Sequence, residues 1–222
     1  CRRAARGMTP VGIFGGTFDP IHFGHLRTAF ELLQALRLAE VRFVPAGNPP
    51  HRGVPLCDAR RRLDMVRAAI ADQPGFVVDD REVRRDGPSY TVLTLRELRA
   101  EEPGRPFCLI MGMDAFLGLP QWHEWPCLLE LAHVVVAHRP GWTAPDAGTL
   151  GELVATRATQ RVEDLHEAVA GCILVRPVTQ LEISSTDLRD LIVAGQDPRY
   201  LLPDAVRAMI RDTGCYRSPA TR

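Results

Sequence analysis

Short, almost uninterrupted apolar runs alternate along this chain with segments whose apolar residues recur at helical spacing. The apolar runs predict strands, and the segments between them predict helices. The predicted strands are residues 11–14, 41–45, 76–79, 107–112, 133–137 and 172–175. The predicted helices are residues 26–38, 59–71, 89–100, 128–132, 183–194 and 204–212, with Ser89 as a helix N-cap. Residues 143–170 are weakly patterned, and no element bounds are predicted there.

Apolar strands that alternate with helices are typical of a parallel sheet covered on both faces. We therefore predict an α/β fold with an open, mostly parallel sheet and helices on both faces. Ligands of such sheets bind at the carboxyl ends of the strands, near the point where the strand order reverses. Three polar loops, residues 15–25, 48–52 and 112–114, follow predicted strands and are expected to share one pocket.

The composition and charge of the chain bear on which kinds of partner it can bind. The 222 residues are 45% apolar, and 27 Lys and Arg balance 27 Asp and Glu, so a nucleic-acid partner is not indicated. The arginine clusters at 60–62 and 84–85 are interpreted as solvated faces. No apolar run is long enough to span a membrane, so no membrane partner is expected and the predicted location is cytoplasmic. A homo-oligomer is compatible with this sequence.

One domain is predicted over residues 10–216, with a helical C-terminal part from about 183, and residues 1–9 are expected to be a disordered leader. The six cysteines have no C-x-x-C spacing, which excludes the usual zinc and redox pairs. Cys108 and Cys172 are interpreted as buried free thiols.

The first candidate site follows the first predicted strand. It reads Gly15-Gly16-Thr17-Phe18-Asp19-Pro20-Ile21-His22-Phe23-Gly24-His25. Two glycines permit unusual backbone dihedrals and a close approach by a ligand. His22 and His25 are three residues apart, so they share one face of a helical turn. Because a helix N-terminus favours anions, this stretch predicts a site for the phosphates of a nucleotide.

A second candidate site opens a helix near the other end of the chain. It reads Ile183-Ser184-Ser185-Thr186-Asp187-Leu188-Arg189. Ser184 and Asp187 have the spacing of a capping box, which predicts another helix N-terminus. The hydroxyls of Ser185 and Thr186 can bind phosphate oxygens, and Arg189 supplies a fixed positive charge with forked donors.

The first stretch is neither a P-loop nor a G-x-G-x-x-G fingerprint. Together the two stretches resemble the signatures of the nucleotidylyltransferase superfamily, Rossmann-like enzymes that transfer a nucleoside monophosphate from ATP or CTP. The resemblance implies that His22, His25 and Arg189 are catalytic and stabilise the departing pyrophosphate. The implied ATP-binding residues are Gly15, Gly16, Thr17, Phe18, His22, His25, Gly112, Asp114, Ile183, Ser184, Ser185, Thr186 and Arg189.

Motifs in the middle of the chain resemble the bacterial nicotinate-mononucleotide adenylyltransferases, and the resemblance covers roughly residues 10–216. These motifs are Asn48-Pro49-Pro50-His51-Arg52, Ser89-Tyr90-Thr91, Gly112-Met113-Asp114, Leu119-Pro120-x-Trp122, His138-Arg139-Pro140-Gly141 and Tyr200-Leu201-Leu202-Pro203. The implied mononucleotide-binding residues are His51, Arg52, Tyr90, Thr91, Trp122 and Arg139. Arg52 stands where this family more often has lysine, and the charge is retained. The remaining histidines, His123, His133, His138 and His166, are interpreted as structural or solvated.

The resemblance implies a reaction of ATP with nicotinate mononucleotide that gives nicotinate adenine dinucleotide and pyrophosphate. The attack is expected to be direct and in line, with Mg²⁺ delivered by ATP and no metal ligand from protein side chains. Two alternatives stay open. The acceptor could instead be nicotinamide mononucleotide, phosphopantetheine or a phosphorylated alcohol, or the chain could bind nucleotides without turnover.

Overall fold

The structure, a computed structural model, describes residues 8–50, 55–138, 145–179 and 181–216. The strands of these ranges are β1 (Val11–Gly16), β2 (Glu40–Pro45), β3 (Phe76–Val78), β4 (Phe107–Gly112), β5 (His133–His138), β6 (Ala158–Thr159) and β7 (Ile173–Pro177). The helices are α1 (Phe23–Ala35), α2 (Ala59–Ile70), α3 (Arg81–Arg84), α4 (Thr91–Glu101), α5 (Met113–Leu117), α6 (Leu128–Leu131), α7 (Gly148–Arg157), α8 (Val162–Glu167), α9 (Ser185–Val193) and α10 (Asp204–Thr213). Two single-turn 3₁₀ helices, Leu119–Gln121 and Trp125–Cys127, precede α6.

The strands form one parallel sheet in the order β3-β2-β1-β4-β5-β7-β6. The strand order reverses between β1 and β4, which places the switch point at these two central strands. The predicted α/β class, the six predicted strands and the parallel sheet are confirmed. The two-residue strand β6 was not predicted, because two residues are too few for a periodic pattern.

Helices cover both faces of the sheet and bury two separate cores. One core lies under α1, α2, α9 and α10, where Leu32 and Val206 are fully buried. The other lies under α4, α5, α6 and α7, where Leu95 and Phe116 are fully buried. Side chains of β1 alternate between them, because successive residues of a strand point to opposite faces.

One predicted helix N-cap was wrong, and one helix extends beyond its apolar period. α1 begins at Phe23 with His22 as its N-cap, at the start predicted from the two histidines and three residues before the apolar period of residues 26–38. α4 begins at Thr91 after Tyr90, so Ser89 is not the N-cap. The short helices α3 and α5 also escaped prediction, since neither is long enough to show a 3.6-residue period.

Each of the two arginine clusters contains a side chain that was misread. Arg60 and Arg61 are exposed as expected, but Arg62 is 1% exposed and lies among the largest fully buried side chains. Arg85 is mostly buried as well and pairs with Glu97. The interpretation as solvated faces was therefore wrong for these two side chains.

The structure also describes the cysteines and histidines that were interpreted as buried or structural. Cys108 is fully buried, whereas Cys172 is half-buried. His133 accepts from the amide of Cys172 at 3.1 Å, and its other ring nitrogen lies 2.9 Å from the carbonyl of Ala168. His166 contacts the carbonyl of Leu36 at 3.0 Å, so these two histidines are structural. No helix in the described ranges is both long and apolar enough to cross a membrane.

Candidate active site

The described parts of the three polar loops lie at one edge of the sheet. The end of β1 is paired with the end of β2 at Gly16 and Pro45, and the amide of Ala46 donates to the carbonyl of Gly16 at 2.9 Å. β4 runs parallel to β1 and ends at Gly112, so the loop after it opens at the same edge. This edge is the carboxyl end of the sheet at the switch point.

Gly15 and Gly16 complete β1 in ordinary strand conformation, so neither uses the unusual dihedrals that glycine permits. A Cβ at Gly15 would meet no heavy atom within 4 Å in the described part of the chain. A Cβ at Gly16 would lie 2.9 Å from the ring of Phe18, which itself adopts a left-handed backbone with φ 48°. Gly15 thus leaves open space above β1, and Gly16 makes room for Phe18.

His22 is the N-cap residue of α1, and its side chain is buried. A Cβ on Gly24 would approach the His22 ring to 3.0 Å, so the glycine between the histidines lets this ring fold against the helix. The His22 and His25 rings lie with centroids 3.7 Å apart and planes tilted by 30°. Burial lowers the pKa of His22 to about 4, so the ring is neutral at pH 7. Its buried Nδ1 has no hydrogen-bond partner among the described residues.

His25 lies one turn into α1 and is half-buried. Its Nδ1 accepts a long hydrogen bond, 3.4 Å, from the backbone amide of His22. Because an accepting ring nitrogen carries no proton, the neutral ring carries its proton on Nε2. The Phe18 ring packs edge-on at 5.1 Å and holds the imidazole in place.

Asp19 organises the loop between β1 and α1. Its buried carboxylate accepts hydrogen bonds from the amides of Leu56 and Cys57 at 3.0 and 3.2 Å. The phenol of Tyr216 donates to the same carboxylate at 2.7 Å, and burial beside Asp19 raises the pKa of Tyr216. This side chain therefore joins the first motif to the start of α2 and to the C-terminal end of the described chain. Its sequence position indicated only a turn.

Ser184 caps α9 as predicted, because its hydroxyl accepts from the amide of Asp187 at 3.1 Å. The next hydroxyl forms a bond to a distant segment of the chain. Ser185 donates to the carbonyl of Pro20 at 3.0 Å, across 165 positions of sequence. This bond brings the N-terminus of α9 against the loop that precedes α1.

Arg189 makes the second bond between the two motifs. Its guanidinium donates to the carbonyl of Asp19 at 2.8 Å and to the hydroxyl of Thr186 at 3.1 Å. The structure thus brings the two predicted phosphate-binding stretches together at one place.

Three of the predicted mononucleotide residues, Tyr90, Thr91 and Trp122, lie within the described ranges. Tyr90 is half-buried and stacks on the ring of His123, with centroids 4.2 Å apart. Trp122, next to His123, packs its half-buried ring against the core under α4 to α7. Thr91 is the first residue of α4. His123 had been interpreted as structural or solvated; it is exposed, and its contact with Tyr90 adds it to this aromatic surface.

Gly112 and Asp114 lie exposed where β4 passes into α5. Ile183 is half-buried before α9, and its carbonyl would lie 3.5 Å from a Cβ on Gly24. The starts of α1 and α9 therefore approach each other. Three predicted site residues lie outside the described ranges: His51, Arg52 and Arg139.

A seven-stranded parallel sheet with two helix N-termini at its switch point defines a nucleotidyltransferase of the cytidylyltransferase-like class, and a family model of that description matches residues 13–191. A relative from Aeromonas hydrophila, named a probable nicotinate-nucleotide adenylyltransferase, is 53% identical over 94% of this chain and 97% of its own. A relative of the same name from Halorhodospira halophila is 50% identical over 96% of this chain and 97% of its own. The chain belongs to the nicotinate-nucleotide adenylyltransferase family.

Solved structures of low identity share the fold. A Plasmodium falciparum nicotinic acid mononucleotide adenylyltransferase complexed with NaAD matches with a TM-score of 0.72 at 15% identity, over 94% of this chain and 97% of that one. A putative nicotinate-nucleotide adenylyltransferase from Vibrio parahaemolyticus matches with a TM-score of 0.62 at 18% identity, over 94% and 96% of the chains. At this identity the likeness establishes the Rossmann-like α/β fold.

Proposed function

We propose that the N-termini of α1 and α9 together hold the triphosphate of ATP, and that the phosphate of nicotinate mononucleotide attacks its α-phosphorus. The products are nicotinate adenine dinucleotide and pyrophosphate. The observation that carries this proposal is the pair of hydrogen bonds, from Ser185 to Pro20 and from Arg189 to Asp19, that joins the two motifs. Arg189 is thereby bonded to the loop that leads into His22 and His25, and we expect one ligand at this junction to contact all three side chains.

The three side chains supply different interactions. Arg189 is the fixed positive charge, and only some of its five N–H donors are used by Asp19 and Thr186. His22 is neutral at pH 7 because burial lowers its pKa to about 4, so it serves as a hydrogen-bonding group. His25 lies beside His22 at the start of α1, and its imidazole is the second group proposed to bind a phosphate oxygen. These groups stabilise charge on the α-phosphoryl oxygens and on the departing pyrophosphate.

The proposed chemistry requires positioning more than proton transfer. The acceptor phosphate is largely ionised at neutral pH, since the second pKa of a phosphate ester is about 6. It therefore attacks in line without a general base and without a covalent enzyme intermediate. The rate enhancement then comes from alignment of the two substrates and from stabilisation of the developing charge.

Mg²⁺ is expected to enter with ATP. Among the described residues, no group of three or more His, Cys, Asp or Glu side chains could hold a metal ion. The donors of the site are imidazole, guanidinium and hydroxyl groups, which suit phosphate oxygens rather than Mg²⁺. When bound, Mg²⁺ would neutralise part of the charge on the phosphates of ATP. The imidazole, guanidinium and hydroxyl groups of the chain would stabilise the remaining charge.

The aromatic surface formed by Tyr90, Trp122 and His123 supports a flat heterocyclic acceptor. Tyr90 stacks on His123, and Trp122 and His123 follow β4, the strand next to β1. A pyridine ring can stack on such a surface, whereas phosphopantetheine has no aromatic group to place there. This contrast favours a pyridine mononucleotide as the acceptor.

The test is pyrophosphate release by the purified chain with ATP or CTP and each of three acceptors. We expect ATP with nicotinate mononucleotide to give the highest kcat/KM, above nicotinamide mononucleotide and phosphopantetheine. Faster release with either of the other acceptors, or with CTP, would replace the proposed substrate. ATP binding without pyrophosphate release under any acceptor would favour a nucleotide-binding protein without turnover.

The cytoplasmic location, the single domain over residues 10–216 and a homo-oligomeric state stay predictions. Gel filtration with light scattering measures the last of these.

A further inference from the structure

Arg62 is a buried guanidinium in the second turn of α2. It is 1% exposed, and burial lowers its pKa from the ordinary arginine value while the nearby Asp19 opposes the shift. A buried charge is costly unless hydrogen bonds satisfy it. Within the described ranges, the guanidinium of Arg62 donates to backbone carbonyls, those of Cys57 at 3.0 Å, Thr17 at 2.5 Å, Ala46 at 2.7 Å and Gly47 at 3.3 Å.

Three of these carbonyls belong to two substrate loops. Thr17 lies in the loop after β1, which leads to His22 and His25. Ala46 and Gly47 follow β2 and begin the loop that continues to residues 48–52. One planar guanidinium therefore spans the loop assigned to ATP and the loop assigned to the mononucleotide. Its donors have a fixed fork geometry, so the spacing of the carbonyls is fixed as well.

The second loop is also held from its opposite side. The hydroxyl of Ser89 accepts from the amides of Gly47 and Asn48 at 2.9 and 3.0 Å. A Cβ on Gly47 would lie 2.1 Å from the carbonyl oxygen of Glu82, so only glycine fits between them. Gly47 is thus bonded through its carbonyl to Arg62 and through its amide to Ser89.

We propose that Arg62 is a positioning residue that fixes the separation of the two substrate loops, and thereby the in-line distance between the acceptor phosphate and the α-phosphorus of ATP. It acts through the backbone carbonyls of Thr17, Ala46 and Gly47. This inference rests on the proposed function. Misplacement of reacting groups by about 1 Å can cost about 10²-fold in rate, so the effect on turnover is expected to be large.

The test compares Arg62→Lys with Arg61→Lys, the neighbouring exposed arginine that pairs with Asp58. Lysine keeps the positive charge, but its compact ammonium group replaces the planar set of donors of the guanidinium. We expect Arg62→Lys to lower kcat about 10- to 100-fold while the Kd for ATP alone changes less than threefold, because ATP is held by one of the two loops. Arg61→Lys should match the wild type in kcat and Kd.

A normal kcat in Arg62→Lys would overturn the proposal. So would a loss of ATP binding and thermal stability in proportion to the loss of kcat, which indicates a general folding role. If Arg62→Lys does not fold, Ser89→Ala provides the test instead. This variant removes the hydroxyl that accepts from the amides of Gly47 and Asn48, the other side-chain contact of the second loop described above. We expect that variant to raise the KM for the mononucleotide with the Kd for ATP unchanged, and an unchanged KM there would overturn the proposal.

The outcome is separable from the proposed function. The wild-type chain is first assayed for pyrophosphate release with each acceptor, and the variants are then compared with the acceptor that works. A different preferred acceptor would replace the proposed substrate, and the comparison of Arg62→Lys with Arg61→Lys would still report on loop positioning.

Discussion

The guanidinium of Arg189 donates a 2.8 Å hydrogen bond to the carbonyl of Asp19, a residue 170 positions earlier in the chain. The two motifs that flank the proposed ATP site are therefore bonded to each other directly. This contact makes Arg189 part of the framework of the site as well as its fixed positive charge.

Replacing Arg189 tests this double role. Arg189→Lys keeps the charge but cannot reach both Asp19 and Thr186 in the same geometry. We expect kcat/KM for ATP to fall about 10- to 100-fold, about 1.4–3 kcal/mol in transition-state stabilisation. Arg211→Lys, an exposed arginine of α10 paired with Asp212, is the matched control and should keep wild-type kinetics. Equal kinetics for the two variants would argue against the role of Arg189.

The buried histidines predict a pH dependence of stability. Burial lowers the pKa of His22 and of His133 to about 4, compared with about 6.5 in an unfolded chain. Between pH 6.5 and 4 the unfolded state therefore binds more protons than the folded state, so stability falls as the pH falls.

We expect urea titrations to give a lower free energy of unfolding at pH 5 than at pH 7, and His22→Asn to show a smaller decrease than the wild type. An equal decrease in His22→Asn and wild type would contradict the neutral, buried state of His22.

Adding a methyl group at two glycines of the site is expected to affect different properties, ATP affinity at Gly15 and folding stability at Gly47. A Cβ at Gly15 meets open space, so Gly15→Ala should keep wild-type stability but raise the Kd for ATP about tenfold, or 1.4 kcal/mol. A Cβ at Gly47 would overlap the carbonyl of Glu82 at 2.1 Å, so Gly47→Ala should lose about 1–3 kcal/mol of stability. Thermal unfolding and ATP titration of the two variants measure both effects. Loss of stability in Gly15→Ala with unchanged ATP affinity would refute the assignment of the space above β1.

Much of the fold could be predicted because its strands are continuous apolar runs and its longer helices keep a 3.6-residue period. The strands β1, β2, β4 and β5 and the helices α2 and α10 fell within a residue or two of their observed bounds. The two motifs could be predicted as helix starts from the histidine spacing and from Ser184. Short elements such as α3 and β6 could not, because their packing rather than a local pattern determines them.

The framework of the site was harder to predict. Arg62 follows two exposed arginines, and its one local signal is that it lies four residues before the buried Val66, on the apolar face of α2. Ser89 resembles an N-cap in sequence, but its hydroxyl accepts from the backbone amides of Gly47 and Asn48 in another loop. In the sequence Gly24 merely separates two histidines, whereas in the structure its lack of a side chain leaves space for the His22 ring. Each of these roles depends on contacts between distant segments.

The central claim, that the histidines at the start of α1 stabilise the departing pyrophosphate, is tested most directly by the turnover of His25→Ala. Pyrophosphate release is measured with saturating ATP and nicotinate mononucleotide, and thermal unfolding confirms that the variant is folded. If His25 donates to the transition state, kcat falls by about 10²-fold or more. Near-wild-type kcat in folded His25→Ala would contradict the account.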